Sequence, residues 1–290
     1  MPLPRLALHR LCGRIYFRDV QVLHEERLPA TGPALYVALH RNGAVDGFLY
    51  HSILPRARFL TASQLVRSAL GRLFFGGGIE VVRARDGGDR RANNEALSTC
   101  VGHLLGGGEL VVFPEGTSSL GPRHLPLHRG AARIAAACPD ACVPVIPLGI
   151  AYDRPTRFRT RVEIVVGSPI DTDVDPSRRV EELHARIEAA LEEVGVNLDS
   201  AERYRALERI ARVSSDDGRS FHRVMKAIER KVPAEIAAAS EEFSTGDDFP
   251  SMRPSRAVLA LFGLGPVVLA GAIMNAVPLL AGWGAAKALA

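Results

Sequence analysis

Residues 34–54 read ALYVALHRNGAVDGFLYHSIL, an apolar run followed by a short polar turn and a second apolar-rich segment. The run over residues 34–39 has the length and character of a strand that is buried on both faces. The pair Asn42-Gly43 is typical of a turn. Residues 45–54 have the pattern of a helix, with Asp46 in its first turn, where a carboxylate is favoured. The stretch therefore predicts a strand–turn–helix unit with His40 at the carboxyl end of the strand.

The chain on either side of this unit alternates between strand-like and helix-like segments. Strands are predicted at residues 14–22, 58–61, 79–82, 109–113, 143–151 and 161–166, and helices at residues 64–74, 92–105 and 128–137. Helices between successive strands are the connections that a parallel sheet requires. We therefore predict an α/β domain over residues 1–175, with a mostly parallel central sheet flanked by helices.

The pattern changes from Pro176 onward. Apolar residues at helical spacing predict amphipathic helices near residues 180–194 and 221–232, so residues 176–250 are interpreted as a helical extension and linker.

Residues 257–286 carry no charged side chain over a length greater than the ~20 residues that a helix needs to cross a bilayer. We expect residues 251–290 to be a membrane-anchoring segment, as one kinked span, a re-entrant hairpin or a membrane-lying anchor; the alternative is a buried pair of core helices. Arg253 and Arg256 precede the uncharged run, and the positive-inside rule would then keep the catalytic domain on the cytoplasmic side.

Composition limits the classes of function. The 290 residues are 47% hydrophobic and 23% charged, which is typical of a folded protein. A net charge of +4 suits an anionic membrane surface or a phosphate-bearing substrate. The arginines are scattered without interleaved aromatic residues, so nucleic acid is not an expected partner. The four cysteines contain no Cys-x2-Cys pair, which favours buried reduced thiols over a metal site. Residues 1–17 lack the continuous apolar region of a cleavable signal peptide.

His40 and Asp46 have the residue types of a general base and of the carboxylate that orients it. A neutral imidazole can remove a hydroxyl proton near neutral pH, and a carboxylate behind it fixes the tautomer and stabilises the imidazolium. Six positions along a regular helix correspond to a rotation of ~240°, which would place the two side chains on different faces. They can meet only if the chain turns between them, and the Asn42-Gly43 pair favours such a turn.

A second polar turn, Phe113-Pro114-Glu115-Gly116-Thr117, directly follows the predicted strand at residues 109–113. Gly116 lets the backbone approach a ligand closely. A carboxylate would repel an anionic substrate, so Glu115 is expected to hydrogen-bond a substrate hydroxyl or to brace an arginine. Between the two turns, Arg83 and Arg85 follow a short predicted strand, and a guanidinium group suits phosphate because it donates two parallel hydrogen bonds.

Four blocks in this order resemble the glycerophosphate acyltransferase superfamily, the PlsC-like acyltransferases, whose hallmarks are His-x4-Asp and Phe-Pro-Glu-Gly-Thr. The blocks are residues 40–46, 78–85, 113–117 and 143–147, within a resemblance that covers residues 34–170. Five residues instead of four separate His40 from Asp46, which fits the His-Pro-Asn-x-x-x-Asp form of yeast-type glycerol-3-phosphate acyltransferases. Ser118 stands where many family members have arginine.

The resemblance implies a role for each block. It makes His40 and Asp46 the catalytic pair. It implies that Arg83 binds the substrate or its phosphate, with Arg85 as the second candidate for this role. Substrate or phosphate binding is also implied for Glu115, Gly116 and Thr117. Acyl-pocket lining or scaffolding is implied for Phe113, Pro114, Val143 and Pro144.

The function implied is that of a membrane-associated O-acyltransferase without a cofactor or a metal ion. It would move a fatty acyl group from acyl-CoA or acyl carrier protein to a hydroxyl of a glycerophosphate or lysophospholipid, with membrane lipids as partners. A 1-acyl-sn-glycerol-3-phosphate acyltransferase is the first candidate and a glycerol-3-phosphate acyltransferase is the alternative. A catalytically inactive, membrane-attached lipid-binding relative is the non-enzymatic alternative. An α/β-hydrolase is disfavoured because the sequence has no Gly-x-Ser-x-Gly elbow.

Overall fold

A computed structural model describes most of the chain up to residue 231. The described residues are 10–11, 13–67, 72, 76–81, 90–138, 143–198, 200–215 and 219–231. They all belong to one compact unit within residues 1–242. The expected anchor at residues 251–290 and the two arginines Arg83 and Arg85 lie outside the described residues.

The described residues form seven strands. They also form six helices that each have seven or more residues. The strands are β1 (Phe17–Leu23), β2 (Ala34–Ala38), β3 (Arg58–Ala62), β4 (Ile79–Val81), β5 (Glu109–Val112), β6 (Val145–Tyr152) and β7 (Thr160–Val166). The helices are α1 (Ala44–Ile53), α2 (Arg90–Leu105), α3 (Gly130–Ala136), α4 (Arg179–Val194), α5 (Ala201–Ser215) and α6 (Phe221–Lys231).

The strands form one sheet in the order β1-β7-β6-β2-β5-β3-β4. The five strands from β6 to β4 are parallel to one another. Strands β1 and β7 are parallel to each other, and β7 is antiparallel to β6. The predicted α/β fold with a mostly parallel sheet is therefore confirmed. The segments that follow β2, β3, β5 and β6 meet at one edge of this sheet, which we call the carboxyl edge.

The core lies around β2, which is buried along its whole length, as its uninterrupted apolar sequence predicts. Helix α2 contacts α3, and α3 contacts α4. Helix α4 also packs against β6. Its last turn approaches β6 so closely that a Cβ atom at Gly149 would meet the Val194 carbonyl oxygen at 2.1 Å. Gly149 is therefore the residue that allows the end of α4 to lie on the strand.

Helices α5 and α6 pair with each other over a second, smaller core that includes Leu207, Phe221 and Met225. The Glu163 carboxylate on β7 accepts hydrogen bonds from the backbone N–H groups of Phe221 and His222, both at 2.8 Å. A carboxylate is favoured at the positive end of the helix dipole, so this contact holds the start of α6 on the sheet.

The boundaries of two predicted elements differ from the structure. Residues 13–16 are helical, so the first strand begins at Phe17 instead of residue 14. The predicted helix at residues 64–74 begins as a 3-10 turn, Ser63–Val66, and most of its remainder lies outside the described residues. Cys100 and Cys138 are buried, as expected, and burial raises the pKa of Cys100 to about 11. Of the helices within the described ranges, none combines the length and apolar character needed to cross a bilayer.

Candidate active site

His40 and Asp46 meet at the carboxyl edge, where β2 turns into α1. His40 follows the last residues of β2, and Asp46 lies in the first turn of α1. The Nδ1 atom of His40 is 2.9 Å from Oδ2 of Asp46. Gly43, at a φ of 58°, is the residue that ends the turn between them. The two side chains are within hydrogen-bonding distance, so the turn accommodates the extra residue between His40 and Asp46.

The Asp46 carboxylate is fully buried and bonded through both oxygens. Oδ2 accepts hydrogen bonds from the backbone N–H groups of Arg41, at 2.6 Å, and Asn42, at 2.7 Å, as well as contacting His40. Oδ1 accepts a hydrogen bond from the hydroxyl of Tyr152, the last residue of β6. These donors, together with the start of α1, offset the cost of burying the charge.

The environment of Asp46 decides which nitrogen of His40 faces a substrate. The carboxylate oxygen beside Nδ1 accepts a hydrogen bond from the N–H of this nitrogen in the neutral ring, so Nε2 holds the free electron pair. The imidazole stacks on the ring of Phe113, with centroids 4.4 Å apart and planes 21° from parallel. The ring is therefore oriented by a hydrogen bond at one nitrogen and by an aromatic face.

Glu115 lies next to this pair and is 2% exposed. Its Oε2 accepts a hydrogen bond from the backbone N–H of His40 at 2.8 Å, and its Oε1 accepts one from Leu125 at 2.9 Å. Burial raises the pKa of the Glu115 carboxyl, and these two N–H groups act in the opposite direction. The structure therefore places Glu115 as a brace for the backbone of His40; its expected contact with a substrate hydroxyl stays a prediction.

A cavity of about 320 Å³ opens beside His40. From the second predicted turn, Phe113, Gly116 and Thr117 line it. Residues of β3 and its following turn also line the cavity. The apolar residues that line the whole cavity are Ala44, Phe59, Leu60, Ala62, Leu65, Val81 and Phe113. A volume of this size, with few polar groups, is typical of a pocket for a mostly apolar small molecule.

Pro114, Val143 and Pro144 have backbone roles in the structure. The Pro114 carbonyl accepts a hydrogen bond from the backbone N–H of His128 at 2.8 Å, which fixes the second turn. Val143 and Pro144 precede β6, so they lie at the edge of the sheet opposite the cavity. There the Pro144 carbonyl accepts a hydrogen bond from Leu35 at 2.9 Å. Of the two roles considered for Val143 and Pro144, this position favours scaffolding.

Two residues of the site are absent from the sequence-based set. Tyr152 donates a hydrogen bond to the Asp46 carboxylate from β6, the strand beside β2. Arg41 is buried, and its guanidinium donates a hydrogen bond to the Gly121 carbonyl while its backbone N–H contacts Asp46. The signal for Tyr152 is its position directly after the predicted strand at residues 143–151, but only the strand order shows that this end lies beside His40.

The arrangement can perform base-assisted transfer to a hydroxyl group. A base, its orienting carboxylate and an apolar cavity meet at one place, and the His40 ring lines the cavity. No group of three or more histidine, cysteine or acidic side chains is placed to hold a metal ion within the described ranges.

Comparison with known proteins gives matches to lipid acyltransferases. Residues 19–151 match the family described as Acyltransferase. The glycerol-3-phosphate O-acyltransferase 1 of Saccharomyces cerevisiae is 37% identical over 73 residues, which are 24% of this chain and 10% of that protein. A 1-acyl-sn-glycerol-3-phosphate acyltransferase of Chlamydomonas reinhardtii is 30% identical over 135 residues, 46% of this chain and 40% of that protein. The matched segments thus span between a tenth and two fifths of these relatives.

The fold also has a counterpart among crystal structures. The 1-acyl-sn-glycerophosphate acyltransferase PlsC from Thermotoga maritima superposes with a TM-score of 0.50 and 21% sequence identity. The superposition covers 66% of this chain and 78% of that one. At this level of identity the match supports the fold alone.

Proposed function

We propose that this chain transfers a fatty acyl group from a thioester to a glycerolipid hydroxyl, because residues 19–151 match the family described as Acyltransferase. The donor would be acyl-CoA or acyl carrier protein, and the acceptor a glycerophosphate or a lysophospholipid. One observation carries the proposal: His40 is paired with the buried Asp46 and lines a largely apolar cavity. An apolar wall suits a substrate with an acyl chain, and the paired histidine suits a hydroxyl acceptor.

In the proposed reaction, Nε2 of His40 takes the proton of the acceptor hydroxyl as its oxygen attacks the thioester carbonyl carbon. The tetrahedral intermediate then expels the thiolate, and the imidazolium returns the proton to sulfur. The products are an ester and a free thiol, so no acyl-enzyme is required. Asp46 stabilises the imidazolium through its hydrogen bond with Nδ1.

The acceptor is proposed as 1-acyl-sn-glycerol-3-phosphate, with glycerol-3-phosphate as the alternative. The relative with the longer match, over 135 residues, carries the first name. The glycerol-3-phosphate acyltransferase of yeast is more identical over a shorter segment. The resemblance of the first block to the His-Pro-Asn-x-x-x-Asp form also supports this alternative. Arg83 and Arg85 are proposed to bind the acceptor phosphate, on the resemblance of their block alone.

A thiol-release assay tests the function. Purified full-length protein is given one acyl-CoA with each acceptor in turn, and free thiol and ester product are measured together. We expect release that depends on the acceptor, and a loss of ~10²-fold or more in the His40→Ala variant. Asp46→Asn should also lower turnover severely. His184→Ala, on a partly exposed position of α4, is the matched control and should keep full activity.

The outcome separates the enzyme from the lipid-binding alternative. A folded protein that binds the acceptor but releases no thiol with either acyl-CoA or acyl carrier protein would favour an inactive relative. Full activity in a folded His40→Ala variant would refute the mechanism.

We also propose that the chain is attached to a membrane, with the catalytic domain on the cytoplasmic side. The support is the uncharged stretch at residues 257–286 and the arginines that precede it. Deleting all residues after Arg256 should move most of the protein from the membrane to the soluble fraction and leave only weak, salt-sensitive binding. Recovery of the full-length protein as a detergent-free soluble monomer would contradict the anchor.

A further inference from the structure

The carboxyl edge of the sheet carries most of the exposed large apolar side chains. Four of the six such residues found in the described part lie in segments at this edge. They are Leu11 (55% exposed), Leu65 (45%), Leu120 (41%) and Phe158 (39%). The other two are Leu105, at the end of α2 on the opposite edge, and Val213 on α5. Several exposed apolar residues on one side of a protein are typical of an interaction surface.

The topology explains why these segments share an edge. Leu65 follows β3, Leu120 follows β5, and Phe158 lies between β6 and β7. Leu11 precedes β1, which runs antiparallel to the five central strands, so its amino end lies at the same edge. Backbone contacts support the arrangement, because Arg159 donates to the Tyr16 carbonyl at 2.7 Å.

The same segments are rich in arginine. They comprise residues 10–11, 13–16, 39–43, 63–67, 113–127 and 153–159. Their arginines are Arg10, Arg14, Arg67, Arg123, Arg154, Arg157 and Arg159, together with the buried Arg41, whereas their acidic residues are Glu115 and Asp153. Both carboxylates are buried, at 2% and 8% exposure, so these segments present positive charge without exposed negative charge.

The opposite edge of the sheet carries more acidic than basic residues in the segments that follow β1 and β7. These segments contain five acidic residues, all exposed, against two arginines, Arg27 and Arg178. The acidic residues are Glu25, Glu26, Asp171, Asp173 and Asp175. Backbone or side-chain hydrogen bonds lower the pKa of three of them, Glu26, Asp171 and Asp175, so they are ionised at neutral pH. The two edges of the sheet therefore differ in charge as well as in exposed apolar surface.

We propose that the carboxyl edge, defined by the segments above, docks on the surface of an anionic lipid bilayer. Apolar side chains enter the boundary between headgroups and acyl chains, and arginines around them bind lipid phosphates. The acidic edge points away from the negative surface. An acidic protein is the other kind of partner that positive charge would attract, but the exposed Phe158 and Leu120 favour lipid.

Docking in this orientation has a consequence for the cavity. Leu65 both lines the cavity and belongs to the docking edge. The cavity would then open toward the bilayer, so an acceptor could reach His40 while its acyl tail stays in the membrane. This consequence rests on the proposed acyl transfer, whereas the docking itself does not.

Tryptophan quenching by lipid tests the orientation with the full chain. Trp283 is the single tryptophan of the sequence, so Trp283→Phe provides a silent background. The variants Phe158→Trp and Leu105→Trp are made in it, one at each edge. Each is mixed with vesicles of phosphatidylcholine and phosphatidylglycerol that carry brominated acyl chains. We expect F158W emission to shift to the blue and to be quenched, and L105W emission to remain as in water.

Charge reversal supplies the second arm. Arg67→Glu at the docking edge and Arg178→Glu at the opposite edge change the net charge equally, and both positions are exposed. Only Arg67→Glu should reduce F158W quenching, and added salt should reduce it as well. Equal or stronger quenching of L105W would overturn the proposal, as would quenching of neither variant. Neither result depends on acyl-CoA turnover, so failure of docking and failure of the proposed activity are distinguishable.

Discussion

The hydroxyl of Tyr152 donates a hydrogen bond to Oδ1 of Asp46, the carboxylate oxygen that His40 does not contact. Burial, followed by the charge of Asp46, raises the pKa of Tyr152 well above that of an ordinary tyrosine. The hydroxyl therefore stays protonated and remains a donor at every pH of interest. With the backbone N–H groups of Arg41 and Asn42, it fixes the plane of the carboxylate that orients His40.

Tyr152→Phe removes this donor and keeps the ring. A hydrogen bond to a charged group contributes about 1.5–3 kcal/mol, so we expect kcat to fall ~10-fold or more while KM for both substrates changes little. Steady-state kinetics measure the effect. Tyr16→Phe, at a half-buried tyrosine outside this contact, is the control and should keep kcat. Unchanged kcat in a folded Tyr152→Phe protein would show that the other donors suffice to hold Asp46.

The contrast between Tyr152 and His40 shows how far the sequence could lead. His40, the turn and Asp46 are local, so their pairing could be inferred from residue types and from the Asn42-Gly43 turn. Tyr152 is 106 positions from Asp46, and its contact depends on β6 lying beside β2. Strand order is decided by packing across the whole sheet, which periodicity in one segment does not reveal.

The same reasoning applies to Glu115 and to α5. The residue type of Glu115 indicated a polar role, but its partners are backbone N–H groups that only the folded loops bring together. Helix α5 was not predicted because its buried face includes Ala206 and Ala211 with Leu207, which contrast weakly with the charged residues around them. Helices α4 and α6 have larger buried side chains and were predicted from their spacing.

Gly116→Ala tests the second turn. Gly116 has a φ of 66°, and an added Cβ would lie 2.9 Å from Cδ2 of His128. A left-handed conformation costs an alanine about 1–2 kcal/mol, and the contact with the His128 ring adds to this cost. We expect a lower free energy of unfolding by urea denaturation and reduced turnover, because the turn lines the cavity.

Two control glycines separate the causes of this effect. Gly107→Ala has a similarly positive φ of 86° and open space around its Cβ, so it should show only the conformational cost. Gly130→Ala, at the start of α3 with no atom within 4 Å, should be neutral or stabilising. A loss in Gly116→Ala no larger than that in Gly107→Ala would mean that the His128 ring moves aside freely.

Arg83→Ala tests the proposed phosphate contact, on a residue outside the described ranges. If the guanidinium binds the acceptor phosphate, the variant should raise KM for the acceptor ~10-fold or more and leave KM for acyl-CoA nearly unchanged. Arg85→Ala is measured beside it, since Arg85 is the reserve for this role. Arg91→Ala, at an exposed position near the start of α2, is the control. Equal effects on both substrates, or on neither, would exclude Arg83 as the phosphate ligand.

His124 predicts how stability depends on pH. Burial, with the nearby cations Arg41 and Lys226, lowers the pKa of His124 to about 3. In the unfolded chain a histidine titrates near 6.5, so between these values the unfolded state binds a proton that the folded state does not. Stability is therefore fully present above pH 6.5 and decreases as the pH falls toward 3, by at most about 1.4 kcal/mol per pH unit from this residue. His222, whose pKa is lowered by burial, acts in the same direction.

The test compares the free energy of unfolding by urea in the parent protein and in His124→Asn at neutral pH and at several acidic values. The pKa values of Glu115 and Glu208 are raised by burial, so their effect on stability has the opposite sign. The folded protein binds their protons more tightly than the unfolded chain does, and its stability therefore decreases as the pH rises. The difference between variant and parent isolates His124 from these groups. We expect His124→Asn to lose less stability on acidification than the parent, whatever its stability at neutral pH. His184→Asn, at a partly exposed position, should follow the parent. Parallel curves for His124→Asn and the parent would show that His124 is protonated in the folded state, in conflict with its buried position beside Arg41.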